Sequence, residues 1–443
     1  MEHILQRYYV QILKCNSNGQ ENVEMKNLSE SNVIKEKYLL VMFSMPFYVD
    51  QNGIRYLDAL WVKDLKEHAK YIPDLSIASP RRDQAPPIGF VALDTVSELS
   101  TVHYIDLPCS ESRWQSILNL PRTVSQLWNA VSDTELVHSS IAAWPIAEAW
   151  IITPLLMIIR RFHIIVVESA PWRISVGQRP SLRARLKYFV YEQLGKLCLT
   201  RSNLAIFTQH QYRDSLMRNK QQAAYVVPAS WIDESSIRSE AEIDADWAEK
   251  LPKKMLKLVF AGRLTQTKGL LLLIDAMKSL ETAGRAVQLR IYGEGDLEEH
   301  CKQFATRQRS TVHVSMGGVL PYGQRFFDAL RVADLVVIPS LSDEQPRIIF
   351  DAFSQGVPVV ASRTPGLSEC FEDRRQGFFF EPGSHEDLVK TLLFADDNRD
   401  CLSMMGKSAS ALAKASTHGK MHSARCVIIN NALHGTLVAP TLL

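Results

Sequence analysis

The sequence predicts an α/β protein made of two doubly wound domains, each built around a parallel β-sheet. Short apolar runs alternate with longer segments of helical apolar spacing, which is typical of parallel sheets. This alternation occurs twice, on either side of a charged, turn-like stretch at 232–254. Two such halves predict a cleft between them, and open parallel sheets bind ligands at the carboxyl ends of their strands.

The two series predict six strands each. The first six are Tyr38–Phe43, Val102–Asp106, Glu135–His138, Ile164–Glu168, Ala205–Thr208 and Ala224–Val227. The second six are Leu256–Phe260, Gln288–Tyr292, Val312–Ser315, Leu335–Ile338, Val357–Ala361 and Phe378–Phe380. Between two strands of the first series, apolar residues recur at helical spacing, and we expect one buried stripe of Leu182, Leu186, Phe189, Val190, Leu194 and Leu197.

Composition then divides the chain into five parts. A polar beginning predicts a poorly ordered extension. The expected order is this extension (1–36), a first Rossmann-like domain (37–232), a linker (233–254), a second Rossmann-like domain (255–400) and a terminal segment (401–443).

Charge and cysteine usage limit the partners and the compartment. The formal net charge of +2 offers no electrostatic argument for nucleic acid, so we expect no nucleic-acid partner. Seven cysteines without a CxxC pair favour reduced thiols and a cytoplasmic protein. The most apolar stretch, Ala149–Ile159, is too short for a transmembrane helix and contains Pro154, and the beginning of the chain lacks a signal-peptide pattern.

One segment, 160–201, is strongly basic. It contains nine basic residues and two acidic ones in a chain that is nearly neutral. A basic, partly amphipathic segment can rest on anionic lipid, which suggests a peripheral position on the inner face of the plasma membrane. The alternative is a solvated helical face.

Two cations stand at a strand-to-helix junction in the second half. The apolar strand ends at Phe260, and Gly262 opens the turn that follows. Arg263 and Lys268 bracket this turn before a helix begins at Gly269. A helix N-terminus supplies N–H donors and partial positive charge, so the two cations suit a diphosphate. The alternative is a pair of solvated surface cations, and the Walker A spacing is absent.

The run DEQPRIIFD places two carboxylates around a helix start. Pro346 is predicted in the first turn of the helix, where Gln345–Ile348 would present backbone N–H groups. Asp343 and Asp351 could hold hydroxyls on either side of a bound phosphate. The alternative is N-capping by Asp343 and solvation of Asp351.

Together these motifs resemble a known family. The series AGRLTQTKG, YGEG, PSLSDEQPRIIFDAFSQGVPVVASRTPGLSE and GFFFEPGSHEDL is similar, in order and spacing, to the donor domain of the retaining glycosyltransferases of family four, the group 1 glycosyltransferases. ELVHSSIAAW and PASWID give a weaker match in the first half. The resemblance implies the GT-B fold, in which two Rossmann-like domains with parallel sheets face a central cleft and a terminal helix crosses back onto the first domain.

The resemblance also implies roles for individual residues. Arg263 and Lys268 take the diphosphate positions, and Asp343 faces the transferred sugar, so these three are the expected catalytic residues. Asp351 would meet the nucleotide ribose. The other implied donor-binding residues are Gly262, Glu294, Val319, Leu320, Gln345, Pro346, Arg347 and Ile348, and the expected acceptor-side residues are Gly53, Glu168 and Trp172.

Two departures from the family pattern concern this site. Both glutamates of the family motif are shortened to aspartate. The sequence Glu344-Gln345-Pro346 replaces the usual small-aromatic-small segment.

The implied reaction moves a sugar from a nucleotide diphosphate sugar to a hydroxyl of a saccharide or lipid-linked acceptor, with retention, in polysaccharide or glycolipid biosynthesis. Two alternatives stay open, because a fold does not determine a function. One is a sugar-nucleotide epimerase or phosphorylase, and the other is a non-catalytic nucleotide-sugar-binding subunit.

The D-x-D pair Asp244 and Asp246 falls in the expected linker and not after a strand, so we expect no metal and no cofactor besides the sugar nucleotide.

Overall fold

The computed structural model contains two β-sheets, one in each half of the chain. It describes residues 33–110, 112–142, 146–174, 180–218, 222–252, 254–306, 311–342 and 345–435. The extension predicted for 1–36 therefore lies outside the described residues except for its last four. Within those four, Ile34 is fully buried and its N–H donates to the Tyr71 carbonyl. The expected boundary was thus a few residues late, because the apolar Ile34 completes the first core.

The first domain is built on a ten-stranded sheet. Its parallel part has the order β6-β4-β1-β7-β8-β9-β10, and a hairpin region of β2, β3 and β5 continues from the end of β4. The strands are β1 Tyr38–Val41, β2 Phe47–Val49, β3 Arg55–Asp58, β4 Leu75–Arg82, β5 Phe90–Ala92, β6 His103–Pro108, β7 Leu136–Ser139, β8 Phe162–Val167, β9 Leu204–Phe207 and β10 Ala224–Val226. The helices of this half are α1 Ala59–Tyr71, α2 Arg113–Ser132, α3 Glu148–Ile159, α4 Leu182–Arg201 and α5 His210–Leu216.

Four strands of this sheet were not predicted. β4 lies between β1 and β6, but Pro80 and two arginines at its end hid it, since proline argues against a central strand. β2, β3 and β5 have only three or four residues each, and a run of that length carries little periodicity.

The second domain contains a six-stranded parallel sheet of order β13-β12-β11-β14-β15-β16. Numbered from its own first strand this is 3-2-1-4-5-6, the doubly wound Rossmann order. The strands are β11 Leu256–Ala261, β12 Val287–Tyr292, β13 Val312–Gly318, β14 Leu335–Ile338, β15 Val359–Ser362 and β16 Gly377–Phe380. The helices of this half are α6 Glu240–Lys250, α7 Leu270–Thr282, α8 Glu298–Thr306, α9 Gln324–Arg331, α10 Ile348–Ser354, α11 Pro365–Ser368, α12 His385–Asp397 and α13 Asp400–Ala415, and the last helix of the described chain is α14 His418–Leu433.

The segment expected as a linker is largely a helix of the second domain. Ser239 caps α6 in a capping box with Glu242, a spacing that the sequence carries but that its high charge obscured. Ile243 and Trp247 are buried in the core, and the Trp247 indole N–H donates to the Gly356 carbonyl at 3.1 Å. The D-x-D carboxylates form ion pairs, Asp244 with Lys407 and Asp246 with Arg238.

The two terminal helices lie on different domains. α13 packs against α6 and α10 of the second domain. α14 lies against α1 and β9 of the first, where Met421, Cys426 and Ile428 enter the core of the first sheet. The end of the described chain therefore ties the two domains together.

The stripe expected to be buried on α4 is instead exposed, and this prediction was wrong. Leu182, Leu186, Phe189, Val190 and Leu197 are exposed, and Leu194 is half-buried. The face that packs is the one bearing Tyr191, Glu192, Gly195, Cys198 and Leu199. Apolar spacing identifies a helical face, but it does not determine whether the small-residue face or the large-residue face meets the core.

Truncation of Trp247 should destabilise the second domain. The fully buried indole fills the contact of α6 with the sheet, so Trp247→Ala should cost about 3–5 kcal/mol in the free energy of unfolding, through lost burial and a cavity. Urea denaturation followed by circular dichroism measures this. The matched control, Trp114→Ala, removes an indole that is 76% exposed and should change stability by less than about 0.5 kcal/mol. Equal losses in the two variants would contradict the assigned packing.

Candidate functional site

A pocket of about 160 Å³ lies at the switch point of the second sheet. β11 and β14 are neighbours there, and the chain leaves their carboxyl ends toward opposite faces of the sheet. The pocket is lined by Phe260, Ala261, Gly262, Lys268, Val337, Ile338, Pro339, Ser340, Pro346, Arg347 and Ile348. Five of the predicted donor-site residues thus come together: Gly262, Lys268, Pro346, Arg347 and Ile348.

Glycine backbone holds the loops around this pocket close together. Gly269 adopts a left-handed conformation with φ of 71°, and a Cβ there would lie 1.7 Å from the Pro339 carbonyl oxygen. The turn after β11 therefore packs directly on the turn after β14, and the Leu341 N–H donates to the Thr267 carbonyl at 2.8 Å. Gly293, which follows β12, approaches Gly262 just as closely, since a Cβ there would be 1.9 Å from the Gly262 carbonyl oxygen.

The remaining predicted donor residues occupy different positions. Arg263 is exposed on the same turn as Lys268 but does not line the pocket. Glu294 is exposed, and its carbonyl accepts from the Leu264 N–H at 2.8 Å. Val319 is exposed and Leu320 packs against the second core. Asp343 lies outside the described residues.

Gln345 reaches the first domain and does not line the pocket. Its Oε1 accepts a hydrogen bond from the Ala229 N–H at 3.2 Å, and its Nε2 lies 3.4 Å from the Cys370 sulfur. A second contact between the domains joins the Glu369 carboxylate to the N–H groups of His210 and Gln211. Because these loops follow strands of both sheets, the carboxyl ends of the two sheets meet.

Asp351 is buried beneath the pocket, and Tyr322 covers it. The Tyr322 hydroxyl donates to Asp351 Oδ1 at 2.9 Å. Burial raises the pKa of Asp351 to about 7, and the bond from Tyr322 opposes this rise. Asp351, which the resemblance places at the nucleotide ribose, does not line this pocket. Tyr322, which follows β13, was not among the predicted site residues.

Lys63 of the first domain completes this cluster. Its ammonium lies 2.8 Å from the Asp233 carboxylate and 5.6 Å from the centre of the Tyr322 ring. It also donates to the Trp231 carbonyl. A single first-domain lysine therefore contacts Tyr322, which covers Asp351, and also residues 231–233. This segment, where the chain passes from the first domain to the second, is called the chain crossing below.

A second cavity, of about 230 Å³, lies at the carboxyl ends of β1, β7 and β8 in the first domain. Glu168 lines it and accepts a hydrogen bond from Arg425 of α14 at 3.1 Å. Glu148 also lines it, fully buried, and accepts from the N–H groups of Phe43 and Ser140, both at 2.7 Å. Burial raises the pKa of Glu148 to about 7. Glu148, His138 and Arg425 were missed, because their meeting depends on the packing of separate elements.

The other two acceptor-side predictions lie away from this cavity. Trp172 is buried in a neighbouring core, and its indole N–H donates to Glu192 at 3.0 Å. In this structure Trp172 packs within the first domain and does not line the cavity. Gly53 forms the turn between β2 and β3, with its N–H bonded to the Asp50 carbonyl at 3.0 Å, and does not line the cavity.

The expectation of no metal overlooked one spacing in the sequence. His418 and His422 form an H-x-x-x-H pair, and α14 places both beside Asp64 of α1. These three side chains are buried, and their donor atoms lie within 4.8 Å of one another.

Comparison with known proteins identifies relatives of the second half of the chain. Residues 242–412 match the family model described as glycosyl transferases group 1. The chain is 29% identical over 163 residues to a lipopolysaccharide 1,2-N-acetylglucosaminetransferase of Salmonella typhimurium, covering 34% of this chain and 42% of that protein. It is 29% identical over 161 residues to a sulfoquinovosyl transferase of Arabidopsis thaliana, covering 36% and 30%. The chain thus spans less than half the length of these curated relatives.

Solved structures match over nearly the whole chain. Anabaena HepE in complex with UDP has a TM-score of 0.61 at 16% identity, covering 90% of this chain and all of that one. Sucrose-phosphate synthase of Thermosynechococcus elongatus has a TM-score of 0.64 at 15% identity, covering 90% and 99%. The GT-B fold predicted from the sequence is confirmed, and so is the resemblance to the group 1 glycosyltransferases.

The buried Asp351 predicts a pH dependence of stability. The pKa of Asp351 in the folded protein, about 7, exceeds the ordinary value of 3.8, so folding favours the protonated carboxyl. The contribution of this group to the free energy of unfolding is therefore fully present below about pH 4 and is lost as the pH rises through 7. Between these limits the wild type should lose up to about 4 kcal/mol of unfolding free energy relative to Asp351→Asn. Urea denaturation at a series of pH values measures this. Tyr322→Phe removes the opposing hydrogen bond and should steepen the dependence, whereas an equal slope for Asp351→Asn and the wild type would refute it.

Proposed function

We propose that this chain, whose second domain matches the group 1 glycosyltransferases, transfers a sugar from a nucleotide diphosphate sugar to a hydroxyl of a saccharide or lipid-linked acceptor. The observation that carries the proposal is the pocket at the β11–β14 switch point, where Lys268 and the start of α10 converge. The HepE structure that shares this fold was solved with UDP, and the curated relatives are named as sugar transferases. Participation in polysaccharide or glycolipid biosynthesis is part of the same proposal.

The donor pocket supplies positive charge for a leaving diphosphate. Lys268 lines it directly, and Arg347 lines it at the start of α10. Cations held in place before the reaction stabilise the negative charge that develops on the departing phosphate oxygen. In this proposal Lys268 and Arg347 take the place that Mg²⁺ or Mn²⁺ has in other transferases. Transfer should therefore proceed without either ion.

The acceptor is proposed to bind on the first domain, in the cavity that contains Glu148 and Glu168. The carboxyl ends of both sheets meet through the contacts of Gln345 and Glu369, so a sugar in one pocket is presented toward the other. Closure of the two domains excludes water, which limits hydrolysis of the donor. Retention of the anomeric configuration follows from the family resemblance alone. No observation favours an epimerase, a phosphorylase or a binding subunit.

Loss of Lys268 should slow the reaction, because the lysine charge would no longer stabilise the transition state. Lys268→Ala should lower kcat/KM by about 100-fold or more, comparable to the loss of one oxyanion donor, and we expect the same of Arg263→Ala. A donor-consumption assay with sugar acceptors measures this, and proton NMR of the first product reads its anomeric configuration. Lys278→Ala, an exposed lysine on α7 paired with Asp275, is the matched control and should keep wild-type kinetics. Near-wild-type kinetics for Lys268→Ala, or an inverted first product, would count against the mechanism.

The enzyme is further proposed to sit at an anionic membrane surface. On the first domain α3 packs between α2 and α4, and these three helices expose large apolar side chains: Trp114, Ile117, Leu118, Trp128, Met157, Ile158, Leu182, Leu186, Phe189, Val190 and Leu197. The helices contain two carboxylates, Glu148 and Glu192, and both are buried. Arg122, Arg183 and Arg185 are among their exposed cations.

An anionic bilayer fits this apolar–basic face better than a second copy of the chain, because two copies would bring cations against cations. No helix in the described part of the chain is both long and apolar enough to cross a bilayer. The proposed contact is therefore peripheral, at the cytoplasmic side of a membrane.

Co-sedimentation with liposomes tests this contact. Binding should require anionic lipid and weaken as salt rises. Leu186→Ser with Phe189→Ser, and separately Arg183→Glu with Arg185→Glu, should each weaken binding at least about tenfold. Met404→Ser, which alters an exposed apolar residue on α13 of the second domain, is the control and should bind as the wild type does. Equal recovery with neutral and anionic vesicles would overturn the proposal.

A further inference from the structure

A buried cluster of imidazoles joins the first domain to the last helix. Asp64 and His68 lie one turn apart on α1, and His418 and His422 lie one turn apart on α14. The Nε2 atoms of His418 and His422 lie 3.1 and 3.0 Å from the same oxygen, Asp64 Oδ1. All three donor groups are buried, so they converge on one point inside the protein.

We propose that Asp64, His418 and His422 form a Zn²⁺ site. Zn²⁺ takes imidazole nitrogen and carboxylate oxygen at about 2.0–2.2 Å, and tetrahedral ligands at that distance are separated by about 3.3 Å. The two separations from Asp64 Oδ1 are within a few tenths of an ångström of this value. Two imidazoles and one carboxylate, with the histidines one helical turn apart, are a ligand set that Zn²⁺ uses in other proteins.

The surrounding groups orient these ligands. His68 Nδ1 lies 3.0 Å from the Asp64 backbone carbonyl and 3.2 Å from Asp64 Oδ2. The Tyr71 hydroxyl lies 3.2 Å from His422 Nδ1, on the side of the ring away from Asp64. Such outer contacts hold the tautomer and the direction of a metal ligand.

Charge favours a cation at this point. In the described part of the chain, the ion pairs of Asp64 are all with imidazoles. A divalent cation would offset the cost of burying the Asp64 carboxylate away from water.

The site would connect the last helix to the donor pocket. Asp64 and His68 line the first-domain cavity, which would be the source of a water molecule as the fourth ligand. The His418 ring stacks on Trp231, with centroids 5.4 Å apart, and the Arg347 guanidinium lies 4.7 Å from the Trp231 ring. A metal bound here would brace the contact of α14 with the first domain. This inference does not depend on the proposed sugar transfer.

Metal titration of the full chain, purified without a polyhistidine tag, tests the site. The wild type stripped with chelator should take up one Zn²⁺ per chain, and saturating Zn²⁺ should raise its Tm by about 5 °C. Co²⁺ in place of Zn²⁺ should produce the visible absorption of a four-coordinate site, a readout that needs no variant. A wild-type chain that binds no Zn²⁺ and shows no shift in Tm contains a hydrogen-bonded cluster only, which overturns the proposal.

Glutamine variants distinguish a metal site from a cluster that is held by hydrogen bonds alone. His418→Gln with His422→Gln keeps N–H donors for Asp64 but removes the imidazole ligands, and should weaken Zn²⁺ binding at least about 100-fold. Asp64→Asn gives a second test if the double variant folds poorly. The matched control is His163→Gln, a buried first-domain histidine bonded to Ser139, which should bind as the wild type does. Unchanged binding by the folded double or Asp64→Asn variant would place the metal elsewhere and overturn the assignment.

Discussion

The donor pocket depends on the close approach of two backbone turns, at Gly269 and Pro339. A side chain at Gly269 would overlap the Pro339 carbonyl oxygen, so only glycine allows the turn after β11 to pack on the turn after β14. That contact carries Lys268 to the switch point and sets the width of the pocket next to α10. The close approach of Gly293 to Gly262 packs the turn after β12 against the turn after β11. The chemistry proposed for the pocket therefore follows from backbone packing as much as from the charge of the lysine.

Buried polar contacts determine how the two domains meet. Lys63 joins Asp233 at the chain crossing and faces Tyr322, which covers Asp351. On the other side of the crossing, Asp64 binds both histidines of α14. Removing the histidine partners of Asp64 would leave a buried carboxylate unpaired, which costs more than the loss of a partly exposed ion pair such as Lys63–Asp233. The position of the last helix and the shielding of Asp351 are thus parts of one interface.

The apolar face of α4 is compatible with two interpretations, a buried stripe or an exposed face. Spacing alone indicated that Leu182, Leu186 and Phe189 form one face, and the structure agrees that they do. The face is exposed because the opposite side of α4 packs inward, where Cys198 contacts the Ala149 carbonyl of α3 at 3.4 Å and Gly195 lies against Ile141. Exposed apolar residues among cations are costly in water, and burial against lipid offsets that cost.

The sequence by itself determined the fold class, all six strands of the second sheet and the turn that bears Lys268. These features are local, since periodicity, glycine placement and strand length depend only on residues that are neighbours in the sequence. The tertiary structure decided which residues meet. It buried Trp172, directed Gln345 toward Ala229, covered Asp351 with Tyr322, and brought Asp64 to His418 across more than three hundred residues of chain. Such meetings depend on the packing of distant elements, and for that reason no local pattern in the sequence specifies them.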